Sequence, residues 1–230
     1  MYINSEQVTV KALLLKFLKM REIGALIPLV VIFVIASFSN SAFTSLPNLL
    51  NMLRASAYIF IAAVGMTYVL CGRGLDLSIG SQVGMSGVVL GALMVWWNVP
   101  IVLAIFIALL VGALAGAING FFVVVLRVPP FIATLATFYG YRGILEGVTK
   151  GTPISPMPES FKIIGLGSLF GVAYVIWFMI FLFIVATFVL RKTKYGRYTL
   201  AMGGNPQSTR LAGISTKKLT FSLYVLMGVL

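Results

Sequence analysis

The sequence predicts an all-α, polytopic transmembrane helix bundle of about six helices plus the start of a seventh, and three observations carry that prediction. Sixty per cent of the 230 residues are hydrophobic and only 10% are charged, with a mean hydropathy of +1.06. Soluble domains run near ~25% charged because a folded surface must be wetted, so a water-solvated globule is excluded. Apolar runs recur at lengths near the ~20 residues that cross a ~30 Å hydrocarbon core. Basic residues also fall unevenly on the connections between those runs.

The first run covers residues 24–39. Its charged preamble is long for a signal peptide and no small-x-small cleavage site follows, so it is expected to stay as a helix. Further runs cover residues 54–71, 77–97, 101–126, 130–148 and 165–190, and a seventh begins near Leu219 and is unfinished at Leu230. Residues 40–51 are polar and contain Pro47, which suits an external loop. Residues 150–162 carry Pro153, Pro156 and Pro158 and form a second outward connection that a soluble partner could touch. The expected organisation is a cytoplasmic segment at 1–22 and a transmembrane domain at 23–230, incomplete at its C-terminus, with an internal loop at 191–218.

Orientation follows from the bases, because cytoplasmic loops retain Lys and Arg. Lys11, Lys16, Lys19 and Arg21 precede the first helix, and Arg191, Lys192, Lys194, Arg197, Arg210, Lys217 and Lys218 precede the seventh. An even number of crossings separates the two groups, so both lie inside, together with Arg73 and Arg127. Only Arg54, Lys150 and Lys162 fall outside, while Arg142 sits within a helix. The N-terminus is therefore expected in the cytoplasm. The net charge of +12 encodes topology, and no nucleic-acid partner is expected. The chain has no histidine and one cysteine, Cys71, which excludes His-based triads, His metal sites and an internal disulfide. Neither a catalytic nor a metal-ligating set is expected.

Residues 72–81, GRGLDLSIGS, interrupt two apolar runs. An acid near the membrane core costs about 2.5–3.5 kcal/mol on insertion scales, so Asp76 needs a partner or water. Gly72 and Gly74 suit a tight reversal. Asp76 can then cap the third helix through the amides of Ser78 or Ile79, or belong to a broken helix beside a pathway; the two readings are compatible. Glycines at four-residue spacing mark the third helix (Gly80, Gly84, Gly87, Gly91), the fourth (Gly112, Gly116, Gly120) and the fifth (Gly143, Gly147) as faces for close helix packing. Asn119 is expected to hydrogen-bond a neighbouring helix, and Arg142 and Glu146, four apart, to pair. Ser81, Gln82, Ser86, Thr134, Thr137, Tyr139 and Tyr141 complete the intramembrane polar set.

The internal stretch 194–218 is hydrophilic and punctuated by glycine. Asn205-Pro206 predicts a cap and first position for a short helix over residues 207–211, ended by Gly213. Such a projecting helix suits docking of a cytoplasmic protein.

At these residues the chain resembles the membrane permease subunit of bacterial sugar ABC importers, of the ribose, xylose, galactose and arabinose type. GLDLSIGS at 74–81, GAINGFFVVVLRVPPFIATLATFYGYRGI at 116–144 and KYGRYTLAMGGNPQSTRLAGI at 194–214 carry the resemblance. It implies that two permease copies, identical or not, form a translocation pathway in the lipid of a bacterial inner membrane. It also implies a separate cytoplasmic ATP-binding subunit, which holds ATP-Mg, and an external solute-binding protein that delivers the sugar. Gly203, Gly204, Asn205, Arg210, Leu211 and Gly213 would be coupling residues toward the ATPase. Gly74, Asp76, Ser78, Gly80, Asn119 and Thr134 would belong to the translocation pathway. Pro129, Pro130 and Phe131 match the start of the fifth helix. This chain itself is expected to bind no cofactor, since no GxxxxGK[ST] cradle occurs in it. Family members usually continue through several further helices, so the resemblance implies either a second polypeptide that completes the chain or, favoured by the hydrophobic end at Leu230, a C-terminally truncated form. An ion-coupled secondary transporter, with Asp76 as the coupling acid, is the alternative. The branched-chain amino acid branch of the same broad family is a nearer one. A membrane enzyme finds no GxSxG, no His and no clustered acids to work with.

Overall fold

The computed structural model describes residues 23–230, so the segment expected at 1–22 lies outside the described residues. In chain order these residues form α1 (Ile23–Ser39), a 3-10 turn (Ser41–Thr44), α2 (Leu46–Cys71), α3 (Ile79–Val95), α4 (Ile101–Val124) and α5 (Pro130–Thr149). There follow α6 (Glu159–Leu166), a hairpin of β1 (Ser168–Leu169) and β2 (Val172–Ala173), α7 (Tyr174–Lys192), α8 (Lys194–Gly204), α9 (Pro206–Leu211) and α10 (Thr216–Val229). The all-α polytopic bundle is present. The described residues divide into one compact unit up to Met52 and a second over Leu53–Leu230.

In the first unit α1 is apolar on every side, with Leu29, Ile32 and Phe38 all exposed. A helix apolar all round has no aqueous face and suits lipid. Asn40 caps the 3-10 turn by accepting from the Ala42 amide at 2.9 Å.

In the second unit α4 and α7 present similar apolar faces, including Val102, Leu114, Phe181 and Phe188. Three of the described helices, α2, α4 and α7, are long and apolar enough to cross a membrane. The sequence predicts more crossings, and the shortfall has physical causes. Helices α1 and α3 each have 17 residues, which at ~1.5 Å per residue falls just short of a ~30 Å core. For α3 the missing length is the irregular stretch at 72–78, where the Gly74, Leu75, Leu77 and Ser78 amides find partners inside the protein. The fifth helix, α5, is 20 residues long but carries Arg142 and Glu146.

Several boundaries differ from those expected. The external loop expected at 40–51 is short, because α2 starts at Leu46. Pro47 sits in its first turn, where the missing amide has no intrahelical partner to lose. The sixth apolar run does not start at 165. Gly171, with φ +78°, turns the β1–β2 hairpin there, and α7 begins at Tyr174. The stretch after Lys194 is helical at once, as α8, because Thr193 caps it.

Helix ends in this unit close with residues in the left-handed region: Arg73 (φ +62°) after α2, Asn98 (φ +52°) after α3, Arg127 (φ +58°) after α4 and Lys150 (φ +52°) after α5. Three of the four are basic, which complements the negative end of the helix dipole. The core gathers Tyr68 and Val69 of α2, Met202 of α8, and Leu223, Tyr224 and Met227 of α10. Tyr68 donates its hydroxyl to the Ala186 carbonyl of α7.

Of the glycine stripes, only that of α4 is a close-packing face throughout. A Cβ on Gly112 would lie 2.1 Å from the Gly228 carbonyl oxygen, and one on Gly116 would lie 2.1 Å from that of Tyr224. Gly120 faces the Phe221 ring. In α3, Gly84 meets Leu145 and Gly91 meets Met157, while Gly80 and Gly87 face open space, as do Gly143 and Gly147 of α5.

Candidate functional site

The chain reverses between α2 and α3 through a C-terminal Schellman turn. The Gly74 amide donates to the Val69 carbonyl at 2.8 Å and the Arg73 amide to that of Leu70 at 3.0 Å. Glycine is the usual occupant of the left-handed position in this motif, but here Arg73 holds it. The glycines expected to permit the reversal instead permit close approach. A Cβ on Gly72 would lie 2.3 Å from Leu223 Cδ1, and one on Gly74 would lie 2.8 Å from Val69 Cγ1 and 3.1 Å from the Tyr224 hydroxyl.

Beyond the turn the backbone delivers Asp76 into a fully buried polar cluster. Its Oδ1 accepts from the Ser78 amide at 2.9 Å and the Ser78 hydroxyl at 2.6 Å. Its Oδ2 accepts from Gln82 Nε2 at 3.0 Å, and Asn119 Nδ2 of α4 bridges both oxygens at 3.3 and 3.2 Å. Asn119 Nδ2 also reaches Ser78 Oγ at 2.7 Å, and Asn119 Oδ1 accepts from the Thr137 hydroxyl of α5 at 2.6 Å. Asp76 thus ties α3 to α4, and Asn119 extends the link to α5. Every neighbour is a neutral donor, and the positive end of α3 lies beside the carboxylate. Hydrogen bonds to a charged group contribute about 1.5–3 kcal/mol each, which offsets the burial of the acid.

Of the residues expected on a pathway, Asp76, Ser78 and Asn119 meet in this cluster. Thr134 adjoins it, accepting from the Leu77 amide at 3.1 Å and donating to the Pro130 carbonyl at 2.8 Å. Gly74 lies in the turn, and Gly80 is exposed and joins nothing. Asp76 does accept from the Ser78 amide, but it is not the cap residue. That position is Ser78, whose side chain bonds no helix amide.

Gln82 and Thr137 are the members that sequence reasoning left unassigned. The signal was spacing, since Ser78 and Gln82 are four apart and share a helical face. Gln82 is 4% exposed; its Nε2 is held by Asp76 and by Ser78 Oγ, and its Oε1 has no partner among the described residues. A buried polar atom without a partner costs about 1–3 kcal/mol. The opposite amide orientation would set a carbonyl oxygen against the Asp76 carboxylate, so the amide is fixed. Ser81 Oγ is likewise buried without a partner among the described residues.

A second group of expected residues gathers after α8. Asn205 caps α9 by accepting from the Gln207 and Ser208 amides, both at 3.0 Å, and Pro206 takes the first position. Gly213 follows with φ +80°. Leu211 projects with 84% of its surface exposed. Arg210 is also exposed, though its Nε donates to Thr216 Oγ1 of α10 at 2.8 Å. Gly203 allows α8 to rest on the end of α2: a Cβ there would lie 2.0 Å from the Cys71 carbonyl oxygen. Nearby, partial burial pushes the Tyr195 phenol above its ordinary pKa, and the hydrogen bond with Ser222 opposes that shift.

Arg73 joins the two groups. Its Nε donates to the Gly203 carbonyl at 2.7 Å and an Nη to that of Gly204 at 2.9 Å. It thereby caps the end of α8 from the turn that leads to Asp76. In the sequence Arg73 reads only as one more inside charge, because nothing local points to a partner some 130 residues away.

At the other end of α5, Arg142 Nε meets Glu146 Oε1 at 2.6 Å, the expected pair. Both side chains are more than half exposed, so it adds about 1 kcal/mol at most. With Lys150 they border a wide cleft between α3 and α5.

A buried polar junction among apolar helices, tied through Arg73 to the end of α8, defines a multi-pass membrane protein. Residues 48–230 match the family described as branched-chain amino acid transport system / permease component, and the chain belongs to that family. It is 40% identical over 213 residues to the ribose import permease protein RbsC of Haemophilus influenzae, and 37% identical to that of Escherichia coli K12. Both alignments cover 91% of this chain and 66% of the relative. The autoinducer 2 import system permease protein LsrC of Escherichia coli O9:H4 is 35% identical over 217 residues, covering 94% of this chain and 63% of the relative. The chain thus spans just under two thirds of the length of these curated relatives. No solved structure matches it.

Proposed function

We propose that the chain is the membrane subunit of an ATP-driven importer and forms a translocation pathway for a monosaccharide or related small polar solute. The observation that carries this reading is the identity with ribose import permeases over 91% of the chain. The transmembrane domain is 23–230, preceded by a cytoplasmic segment at 1–22, in the bacterial inner membrane with the N-terminus inside. Loop 191–218 seats a separate ATP-binding subunit, where ATP-Mg is held and hydrolysed. A second permease copy completes the pathway, and an external binding protein delivers the solute. The chain is a transport subunit, not an enzyme.

Coupling runs through the segment from Gly203 to Gly213. ATPase closure pushes α9, and Arg73 carries that displacement from the end of α8 to the turn before Asp76. Asp76, Ser78, Asn119 and Thr134 then respond as one junction between α3, α4 and α5.

Affinity purification in mild detergent with mass spectrometry of what is retained tests the assembly. Recovery of an ATP-binding subunit is expected, and its absence under conditions that keep the bundle folded would remove this reading. Leu211→Asp is the sharper probe of docking, since so exposed a side chain has little packing to lose. Recovery of the ATPase should fall about tenfold or more, as when an interface anchor is removed, with the amount in the membrane unchanged. Arg210→Glu should act in the same direction, but it also cuts the bond to Thr216.

Arg73→Gly separates the brace from the turn. Glycine fills the left-handed position without strain, so folding should be kept, while both bonds to α8 are lost. ATPase recovery should persist and solute moved per ATP hydrolysed should fall, by roughly tenfold if the two bonds together supply ~1.5 kcal/mol. An unchanged ratio would remove Arg73 from the coupling route.

A further inference from the structure

Three basic side chains converge on one cavity. Arg127 follows the end of α4, Arg210 lies on α9 and Lys217 in the first turn of α10, and together they line a pocket of about 490 Å³. That size falls within the ~300–1,000 Å³ of small-ligand sites. Among the described residues no acid lies on its wall. Asp76 is enclosed by its own neutral donors, and Glu146 and Glu159 pair with Arg142 and Lys162. The side chains of Arg127 and Lys217 have no partner among the described residues, and Arg210 spends only its Nε, on Thr216. Helix dipoles do not account for the group, since Lys217 stands at the positive end of α10, where a cation is disfavoured. A preference for bases on inside loops explains their number, not their meeting in one cavity.

We infer that this pocket binds the phosphate of an anionic phospholipid headgroup, with Arg127, Arg210 and Lys217 as its cationic partners. The site lies apart from the Asp76 junction and does not depend on which solute the chain carries.

Depth and lining favour a lipid over other anions. Helix α4 has 24 apolar-rich residues, which at ~1.5 Å each outlast a ~30 Å hydrocarbon core, so its last turn reaches headgroup level. Basic pockets between membrane helices at that level suit anionic headgroups. The rest of the wall is partly apolar, with Val123 and Val124 from α4 and Met202 from α8. Phe121 in the last turn of α4 and Val125 just after it are exposed, and they continue the apolar surface beside the pocket toward acyl chains. Inorganic phosphate would leave that apolar half of the wall without a partner. A nucleotide finds no aromatic ring on the wall to stack against. A zwitterionic lipid would bring its own cation up to three others.

The test uses the full-length protein in mild detergent with equal amounts of phosphatidylglycerol and phosphatidylcholine, and native mass spectrometry counts the lipids retained. Phosphatidylglycerol should be held about tenfold or more in preference. In the double variant Arg127→Gly, Lys217→Gln that preference should fall to near unity; glycine suits the left-handed position of Arg127, so the turn after α4 is kept. Lys218→Gln removes a neighbouring base that does not line the pocket and should leave the preference as it was. Equal loss in Lys218→Gln would mean a diffuse basic surface and would overturn the site. A free-anion site is distinguished by melting temperature: phosphatidylglycerol should raise it, and inorganic phosphate at equal concentration should not. Phosphate that matches the lipid overturns the lipid assignment. A double variant that keeps its lipid preference but loses recovery of the ATP-binding subunit gives the pocket to acidic side chains of that partner, which also overturns it. Should the double variant fail to fold, wild type with a photoactivatable phosphatidylglycerol headgroup gives the second measurement. Crosslinks should map to residues 123–127 and 206–220, and crosslinks confined to other segments overturn the proposal.

Discussion

Asp76→Ala is expected to abolish solute uptake while the protein still inserts into the membrane. The substitution removes the one acceptor shared by the Ser78 amide, the Ser78 hydroxyl, Gln82 Nε2 and Asn119 Nδ2. Each buried donor left unmade costs about 1–3 kcal/mol, not additively. Membrane insertion should rise slightly, because a deep acid has been deleted, so loss of uptake cannot be put down to poor expression. Asp76→Asn is the graded version. Its carbonyl can still accept from Ser78, but its new amide group must face Gln82 Nε2 or Asn119 Nδ2, donor against donor. One such conflict at ~1–2 kcal/mol corresponds to roughly a tenfold fall in uptake. Uptake counted per molecule in the membrane, beside thermal stability in detergent, checks both variants. Wild-type uptake by Asp76→Asn at normal abundance would reduce Asp76 to a local role at the start of α3.

That junction was only partly legible in the sequence, for reasons that differ residue by residue. Asp76 announces itself because an acid in an apolar stretch must be compensated. Asn119 and Thr134 announce themselves as polar groups on apolar helices. What one-dimensional reading lacks is the bundle geometry that brings Asn119 of α4 to Asp76, and Thr137 of α5 to Asn119. Gln82 could have been placed by its four-residue spacing from Ser78, yet its unpartnered oxygen becomes visible only when all its neighbours are known. Gly80 fits the motif but reaches nothing, since a helical face is fixed by what packs on it.

The docking segment was more legible, because capping is local chemistry. Asn205, Pro206 and Gly213 specify the ends of α9 within nine residues of chain. Arg73 marks the opposite limit. Its role depends on two backbone carbonyls far along the chain, and a left-handed arginine gives no sign of itself in sequence. The helices themselves were legible wherever apolar runs are long. Their ends were misplaced at Pro47 and at the β1–β2 hairpin, where hydropathy continues across a change in backbone.

Gly116→Ala should be the most damaging single methyl addition in the bundle, with Gly112→Ala beside it. Helices α4 and α10 meet through these two glycines and Gly228, and the added carbon would sit 2.1 Å from a backbone oxygen in either variant. A backbone carbonyl cannot rotate away as a side chain can, so the helices must move apart by about an ångström and lose the packing that holds them. Lipid gives no hydrophobic drive to bring them back, because membrane helices associate through close van der Waals fit. Overpacking of this kind costs typically 1–3 kcal/mol and occasionally more. The consequence reaches the junction, because Asn119 lies one turn beyond Gly116 on α4 and Tyr224, whose hydroxyl bonds the Leu75 carbonyl at 3.2 Å, lies on α10. Gly120→Ala should cost less, since its neighbour at 2.9 Å is the Phe221 ring edge, which can tilt. Gly143→Ala, with no atom within 4 Å, should be neutral or gain up to ~1 kcal/mol from helix propensity. Melting temperatures in one detergent should therefore rank Gly143→Ala highest, then Gly120→Ala, with Gly112→Ala and Gly116→Ala lowest. If the last two melt with the first, α4 and α10 do not touch through their backbones.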